Sequence, residues 1–309
     1  MNMKCMPLIC VAVSTLLSAD SRAQDPAKVE SQLILVNIES GKETVILTEP
    51  RHFEAPNWSR DGKYLVINSS GKLEKISLEG SKLGTIPTGT AQNLNNDHGF
   101  SFDGRWLIIS NNDSDTGTGG SSRIYRLPAE GGTLQLLTPK KPSYWHGISP
   151  DGKHIVYCAY RHGAWDVYKI SVDGGEEIQL TNSQGLDDGP EYSYDGKWIY
   201  FNSNRTGRMH IYRMFPDGTG QEQLTHDAYD NWFAHPSPDH QTIVYLSYLE
   251  DQKGQHPFGR DVKLRVMDLQ TKTSRDLTPV FYGGQGTINV PSWSPDGKRI
   301  AFVRYRKIS

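Results

Sequence analysis

A unit ending in Ser-x-Asp-Gly or a close relative recurs along this chain in six copies with the same flanking pattern, five of which keep the glycine. The copies are Trp58-Ser59-Arg60-Asp61-Gly62, Phe100-Ser101-Phe102-Asp103-Gly104, Ile148-Ser149-Pro150-Asp151-Gly152, Tyr192-Ser193-Tyr194-Asp195-Gly196, Pro236-Ser237-Pro238-Asp239-His240 and Trp293-Ser294-Pro295-Asp296-Gly297. They stand roughly 42 to 57 residues apart, the spacing of one four-stranded propeller blade. A self-similar period of that length fixes the architecture before any single element is assigned.

Each copy has the same neighbours. A β-rich run follows the Asp-Gly turn, as in Ile155-Val156-Tyr157, Trp198-Ile199-Tyr200-Phe201 and Ile300-Ala301-Phe302-Val303, which predicts a strand after a tight turn. An alternating strand comes next, such as Trp165 to Ile170 or His210 to Met214, and a last strand closes on Leu137-Thr138, Leu180-Thr181, Leu224-Thr225 or Leu277-Thr278. The chain begins with only an outer pair, Leu33 to Val36 and Thr44 to Thr48, and finishes with only an inner pair, Pro291 to Arg304. Joined, they make one complete blade and remove exposed sheet edges. The reading is an all-β, six-bladed β-propeller of four-stranded antiparallel blades over residues 24–309, its last blade closed by the two terminal segments. Long helical periodicity is absent, and a β-sandwich does not account for the repeat.

Residues 1–23 read as a signal peptide. Lys4 precedes an apolar run from Met6 to Leu17, and Ser21-Arg22-Ala23 ends in the small residues that a signal peptidase accepts. The run is too short to span a bilayer, so export to the periplasm or beyond is expected, not integration into the membrane. Cleavage after Ala23 removes Cys5 and Cys10 and leaves Cys158 alone, without an internal disulfide. It also shifts the formal charge from −2 to −3, which offers no basic field for nucleic acid. A monomer is expected.

The run Pro-x-Trp-Ser-Pro-Asp-Gly, then Ile-Ala-Phe, seen best from Pro291 to Val303, resembles the TolB-type propeller repeat. The resemblance covers nearly the whole mature chain. It implies the fold, and by analogy an envelope-associated propeller that works through protein contact; it says little of function, since such repeats also occur in prolyl-oligopeptidase-type peptidases and oligogalacturonate lyases. TolB carries a separate domain ahead of its propeller, whereas here fewer than ten residues lie between Ala23 and the first strand. The Gly-x-Ser-x-Gly nucleophile elbow of the peptidases is absent.

In a propeller the first strand of each blade lines the channel, so residues just before each repeat serine are the candidates for a site. Counting back, His98 and His146 stand three before it, and Glu191 and His235 two before it. Three imidazoles and a carboxylate suit Mn, Zn or Fe. Adjacent strand positions point to opposite faces, so convergence needs a bulge; a metal-free polar pocket and independent histidines stay open. The incoming loops add Asn96-Asp97, Tyr144-Trp145, Asp187-Asp188 and Asp230-Asn231-Trp232, and the stretch from Gly283 to Asn289 enters the sixth blade. Asp97, Tyr144, Trp145, Asp188, Trp232 and Asn289 are therefore expected ligand contacts, aromatic faces beside polar groups being what sugars use. An insertion at 248–263 offers His256 and Arg260. Residues 111–122, with Asn111, Asn112 and Asp113, lack the full ligand set of a calcium loop.

Two functions follow. One is a binding module that takes an oligosaccharide, a peptide or an envelope protein at its loop face. The other is a metal-dependent lyase or hydrolase on acidic oligosaccharides, similar to oligogalacturonate lyases, with His98, His146, Glu191 and His235 as ligands, His256 or Tyr144 as base and Arg260 as carboxylate clamp.

Overall fold

The computed structural model describes residues 29–113 and 121–308. The expected signal peptide and residues 114–120 of the candidate calcium loop lie outside the described residues. Among the described residues, twenty-four strands form six sheets. Strands β1 (Val29–Asn37) and β2 (Glu43–Glu49) belong to the closing blade. Blade 1 follows as β3 (Glu54–Trp58), β4 (Tyr64–Ser69), β5 (Lys72–Ser77) and β6 (Lys82–Thr85). Blade 2 is β7 (Leu94–Phe100), β8 (Trp106–Asn112), β9 (Ser122–Pro128) and β10 (Gln135–Leu136); blade 3 is β11 (Ser143–Ile148), β12 (His154–Arg161), β13 (Ala164–Ser171) and β14 (Ile178–Gln179). Blade 4 is β15 (Asp187–Tyr192), β16 (Ile199–Ser203), β17 (His210–Met214) and β18 (Glu222–Gln223); blade 5 is β19 (Asp230–Pro236), β20 (Thr242–Tyr248), β21 (Phe258–Asp268) and β22 (Ser274–Asp276). In each, strands pair in chain order and antiparallel.

Blade 6 closes the ring. Strand β24 (Arg299–Lys307) pairs with β1 over nine residues, from Val29 opposite Lys307 to Asn37 opposite Arg299, and β2 lies outside β1. Its innermost strand is reduced to one bridge between Trp293 and Ile300, because Pro291 and Pro295 interrupt the backbone donors there. The latch is apolar on both faces. Phe302 packs toward blade 5, while Ala301 and Val303 pack toward blade 1. Six buried clusters fill the six gaps between neighbouring blades, each strand giving alternate residues to either side.

The repeated motif is a backbone device. In blade 3 the Ser149 hydroxyl donates to Asp151 Oδ1 at 2.6 Å and accepts from the His154 amide at 3.0 Å, and Gly152 turns the chain at φ 70°. The serine–aspartate bond recurs in all six copies, and the left-handed turn position favours glycine. The Leu-Thr ending has an equally local cause. Thr138, Thr181, Thr225 and Thr278 each accept, through Oγ1, the amide of the third strand's Ile124, Val167, Ile211 and Leu264 at 2.9 to 3.0 Å. A hydroxyl thereby extends outer strands that are only two or three residues long in blades 2 to 5.

The insertion at 248–263 is only partly a loop. Strand β21 begins at Phe258, so Arg260 sits in an extended strand that pairs with β23 (Phe281–Gly284).

Candidate functional site

Every inner strand of blades 1 to 5 carries a bulge just above the repeat serine, and these bulges aim the channel side chains. Ala55, Gly189 and Phe233 occupy the same place, four residues before the serine, with φ of 54°, 61° and 55°. A phenylalanine held there is strained, a feature that concentrates at functional sites. The bulge turns Glu191 and His235 toward one another. His235 Nδ1 stands 2.6 Å from Glu191 Oε2, and its Nε2 donates to the Ile288 carbonyl at 2.5 Å, so blades 4, 5 and 6 are tied across the channel.

One step nearer the mouth lies a second pair. His146 Nε2 stands 3.2 Å from Asp188 Oδ1, which also accepts the Gly189 amide at 2.6 Å. The His146 ring also hydrogen-bonds the Asn289 backbone. Protonated, the ring is a cation facing the Asp188 carboxylate. Burial opposes that charge, but Asp188 and Asp97 raise the His146 pKa above its ordinary value. Burial likewise works against the Asp188 anion, and His146 with His256 holds its pKa well below the usual range. Asp97, which is also buried, has its pKa pushed up to about 7 by burial and the Asp188 charge, against the pull of His146. Glu54 is pushed up to about 8 by burial and then by Asp97. The titratable groups acting on these three carboxyls include one another, His146 and His256.

His256 reaches the mouth from the loop before β21. Its ring packs edge-on against Trp232 and Phe233, with centroids 4.5 and 5.3 Å apart. Its Nδ1 bonds Gln285 Oε1, and its Nε2 stands 3.8 Å from Asp188 Oδ2. Asn289 donates to the same Gln285 oxygen at 2.9 Å and accepts the Gly286 amide at 2.7 Å.

The four histidine and glutamate candidates for a metal therefore do not meet at one point. His98 faces the gap between blades 1 and 2, its Nδ1 3.1 Å from the Asn96 carbonyl and its Nε2 3.4 Å from that of Val66. Burial drops its pKa to about 4. Among the described residues no three His, Cys, Asp or Glu side chains form a metal-holding group. Trp145 and Trp232 are fully buried, in the clusters between blades 2 and 3 and between blades 5 and 6; neither presents a face to a ligand. Tyr144 is half-buried against Trp165, centroids 5.8 Å apart, and Trp165 in turn meets the more exposed Tyr160 at 5.4 Å. Burial, then the charges of Asp97 and others, raise the Tyr144 pKa, so this aromatic arc adjoins the carboxyls. Arg260 is exposed on its strand.

At the far end, Arg60, Phe102 and Tyr194, the variable residues of three of the repeat turns, stack across the axis. Arg60 lies 4.5 Å over the Phe102 ring, and Phe102 meets Tyr194 edge-on at 5.1 Å. Access to the paired acids and histidines is thus from the loop side.

Residues 143–288 match the family described as TolB beta propeller domain. A solved structure from Agrobacterium tumefaciens, described as a candidate TolB, aligns at a TM-score of 0.85 and 46% identity, over 91% of this chain and 99% of that one. The chain belongs to the TolB β-propeller family. TolB from Acinetobacter baumannii shares the fold at a TM-score of 0.62 and 18% identity, over 83% of this chain and 64% of its own. An oligogalacturonate lyase in complex with manganese aligns at 0.54 and 13% identity, over 90% of this chain and 98% of its own, a likeness of fold alone.

Three residues of this TolB-family site escape a reading by motif. Glu54 holds the same place before its serine, five residues back, as Asp188 does, so alignment of the repeats alone carries its signal. Phe233 matches Gly189 in the same way. Gln285 falls outside the repeat, and only the pairing of β21 with β23 brings it to His256.

Proposed function

We propose that this TolB-family propeller is an exported binding module whose channel mouth takes a segment of a peptide or envelope protein carrying positive charge. The observation that carries this reading is the company of Glu54, Asp97 and Asp188, three carboxyls that act on one another beside His146 and His256. Two of the three keep protons near neutrality through burial and repulsion, and a cation arriving among them relieves that repulsion. The half-buried arc of Tyr144, Trp165 and Tyr160 adds amphipathic surface beside the acids, of the kind enriched where proteins meet.

Lyase chemistry on an acidic saccharide calls for the opposite field. The substrate carboxylate there must be neutralised by a cation, and the arginine in view for that duty, Arg260, is exposed on β21. The two functions separate in one experiment. A fluorescent lysine-containing peptide and oligogalacturonate are titrated into the protein at low and at physiological salt. Saturable peptide binding, weakened by salt and by Asp97→Asn with Asp188→Asn, is the expected result. Binding of oligogalacturonate alone, or its metal-dependent cleavage, overturns the reading.

A further inference from the structure

The hydrogen bonds behind His256 determine which of its nitrogens holds the proton. A backbone amide can only donate, so Gly286 N–H at 2.7 Å requires the Asn289 side chain to present its oxygen there. The Asn289 amide nitrogen is then the donor to Gln285 at 2.9 Å, which requires Gln285 to present its oxygen. That oxygen also faces His256 Nδ1. His256 Nδ1 must therefore carry a hydrogen, and burial, which lowers the His256 pKa, keeps the ring neutral. The chain of three bonds leaves Nε2 as a bare lone pair.

That lone pair faces another acceptor. Asp188 Oδ2 stands 3.8 Å away, beyond the range of a direct hydrogen bond, and Asp188 is held as the anion by His146 on its other oxygen. A further neighbour of Asp188 is Cys158, whose thiol faces the Asp187 carbonyl at 3.4 Å and also hydrogen-bonds the Asp188 carboxylate, and whose pKa is raised by burial and by Asp188. Two acceptors with no proton between them repel. The His256 side chain retains 30% of its exposure and that of Asp188 12%, so the gap opens to the mouth. Behind it stand Asp97 and Glu54, and the His256 ring is held edge-on against Trp232 and Phe233.

We infer that His256 Nε2 and Asp188 Oδ2 form a two-acceptor clasp for a primary ammonium group. An ammonium nitrogen lies about 2.8 Å from an ionised acceptor, so one N–H₃⁺ bridges the 3.8 Å gap with a hydrogen to each side and a third left for a mouth carboxyl or solvent. A quaternary ammonium has the same charge and no hydrogens, and the clasp rejects it. A polyol has hydrogens without charge and leaves the repulsion at Asp97 and Glu54 in place. The inference rests on the basic-segment reading and names the group that is gripped.

The test uses the whole protein labelled with ¹⁵N at histidine. Without ligand, His256 should resonate as the Nδ1–H tautomer. Butylammonium should move its Nε2 resonance saturably, with tetramethylammonium and glycerol inert at equal ionic strength. Gln285→Glu places an anion behind Nδ1, draws a proton to the ring and turns Nε2 into a donor to Asp188; it should weaken butylammonium at least tenfold while both clasp atoms remain. Asp188→Asn should do the same, with thermal melts confirming that each variant is folded. Then N-acetyl-lysine methylamide and alanyl-alanine amide tell a lysine side chain from an amino terminus. The clasp is overturned by an Nε2–H tautomer or an imidazolium in the free protein, by equal responses to butylammonium and tetramethylammonium, or by none. If basic peptides still bind in that event, the function reading stands without the clasp. If butylammonium binds as described and no basic peptide does, the clasp stands and the function reading falls.

Discussion

The outer edge of the Trp145 ring in blade 3 occupies the space where a side chain on Gly99 in blade 2 would begin: a Cβ there would lie 2.3 Å from Cη2 and 2.8 Å from Cζ3. Neither partner is free to yield. Trp145 is fully buried and its amide is held by Ser110 at 2.8 Å, so the indole is wedged between two inner strands with no room for another carbon.

Gly99→Ala should therefore cost about 1–3 kcal/mol by overpacking alone. The two atoms in the way, Cη2 and Cζ3, are ones that phenylalanine lacks. Trp145→Phe leaves a void by itself, but in the Gly99→Ala background it should recover part of the loss, so the double variant is more stable than the sum of the singles. Urea titrations of the four proteins measure this coupling, and strict additivity would contradict the wedge.

His240 stands where the other five turns place glycine, with φ of 63°. A side chain in the left-handed region costs about 1 kcal/mol, and its amide bond to the Ser237 carbonyl at 3.1 Å does not depend on the side chain. His240→Gly should raise stability by about 1 kcal/mol, seen as a higher melting temperature at unchanged denaturant slope.

The fold was legible because its repeated residues satisfy the backbone and so recur wherever a blade does: the serine and aspartate of the turn, the threonine of the short outer strand. The site was harder to read for a reason visible in His98 and His146. Both stand three residues before their serine, yet blade 2 advances four positions from Leu94 to His98 against two on its partner, whereas blade 3 advances two from Trp145 to Gly147 against one. A different bulge turns a side chain to a different neighbour. His146 finds Asp188, and His98 finds backbone carbonyls. Bulge length is not written in residue type, so whether four candidate ligands at two neighbouring register positions converge is not legible in the sequence.

Asp97 gives the pH dependence of stability its sign. Its folded pKa, about 7, lies above the ordinary 3.8, so between those values the folded chain holds a proton that the unfolded chain has lost. Stability from this group is full at low pH and falls as pH rises through 7. His98, lowered to about 4 by burial, acts below pH 6.5 in the opposite direction, so the comparison belongs with a variant and not with the parent curve alone. Relative to Asp97→Asn, the parent should lose about 2–4 kcal/mol between pH 5 and pH 8, read from chemical denaturation at each pH. A constant difference across that range would mean that Asp97 ionises in the fold as it does in water.

The same protons govern the ligand. A cation is attracted to the ionised forms of Asp97 and Glu54, whose pKa values of about 7 and about 8 keep them partly or mostly protonated at neutrality. Binding of a lysine-containing peptide should then release protons, and its affinity should climb from pH 6 to pH 8.5 while the lysine stays charged. Calorimetry in two buffers of different ionisation enthalpy counts the released protons directly. Asp97→Asn should reduce both the proton count and the slope of affinity against pH, since it removes one titrating group and relieves Glu54 of the charge that helps hold its proton. An affinity that falls with rising pH would instead mean that the ligand is an anion drawn to His146 and His256, and the cationic segment would have to be given up.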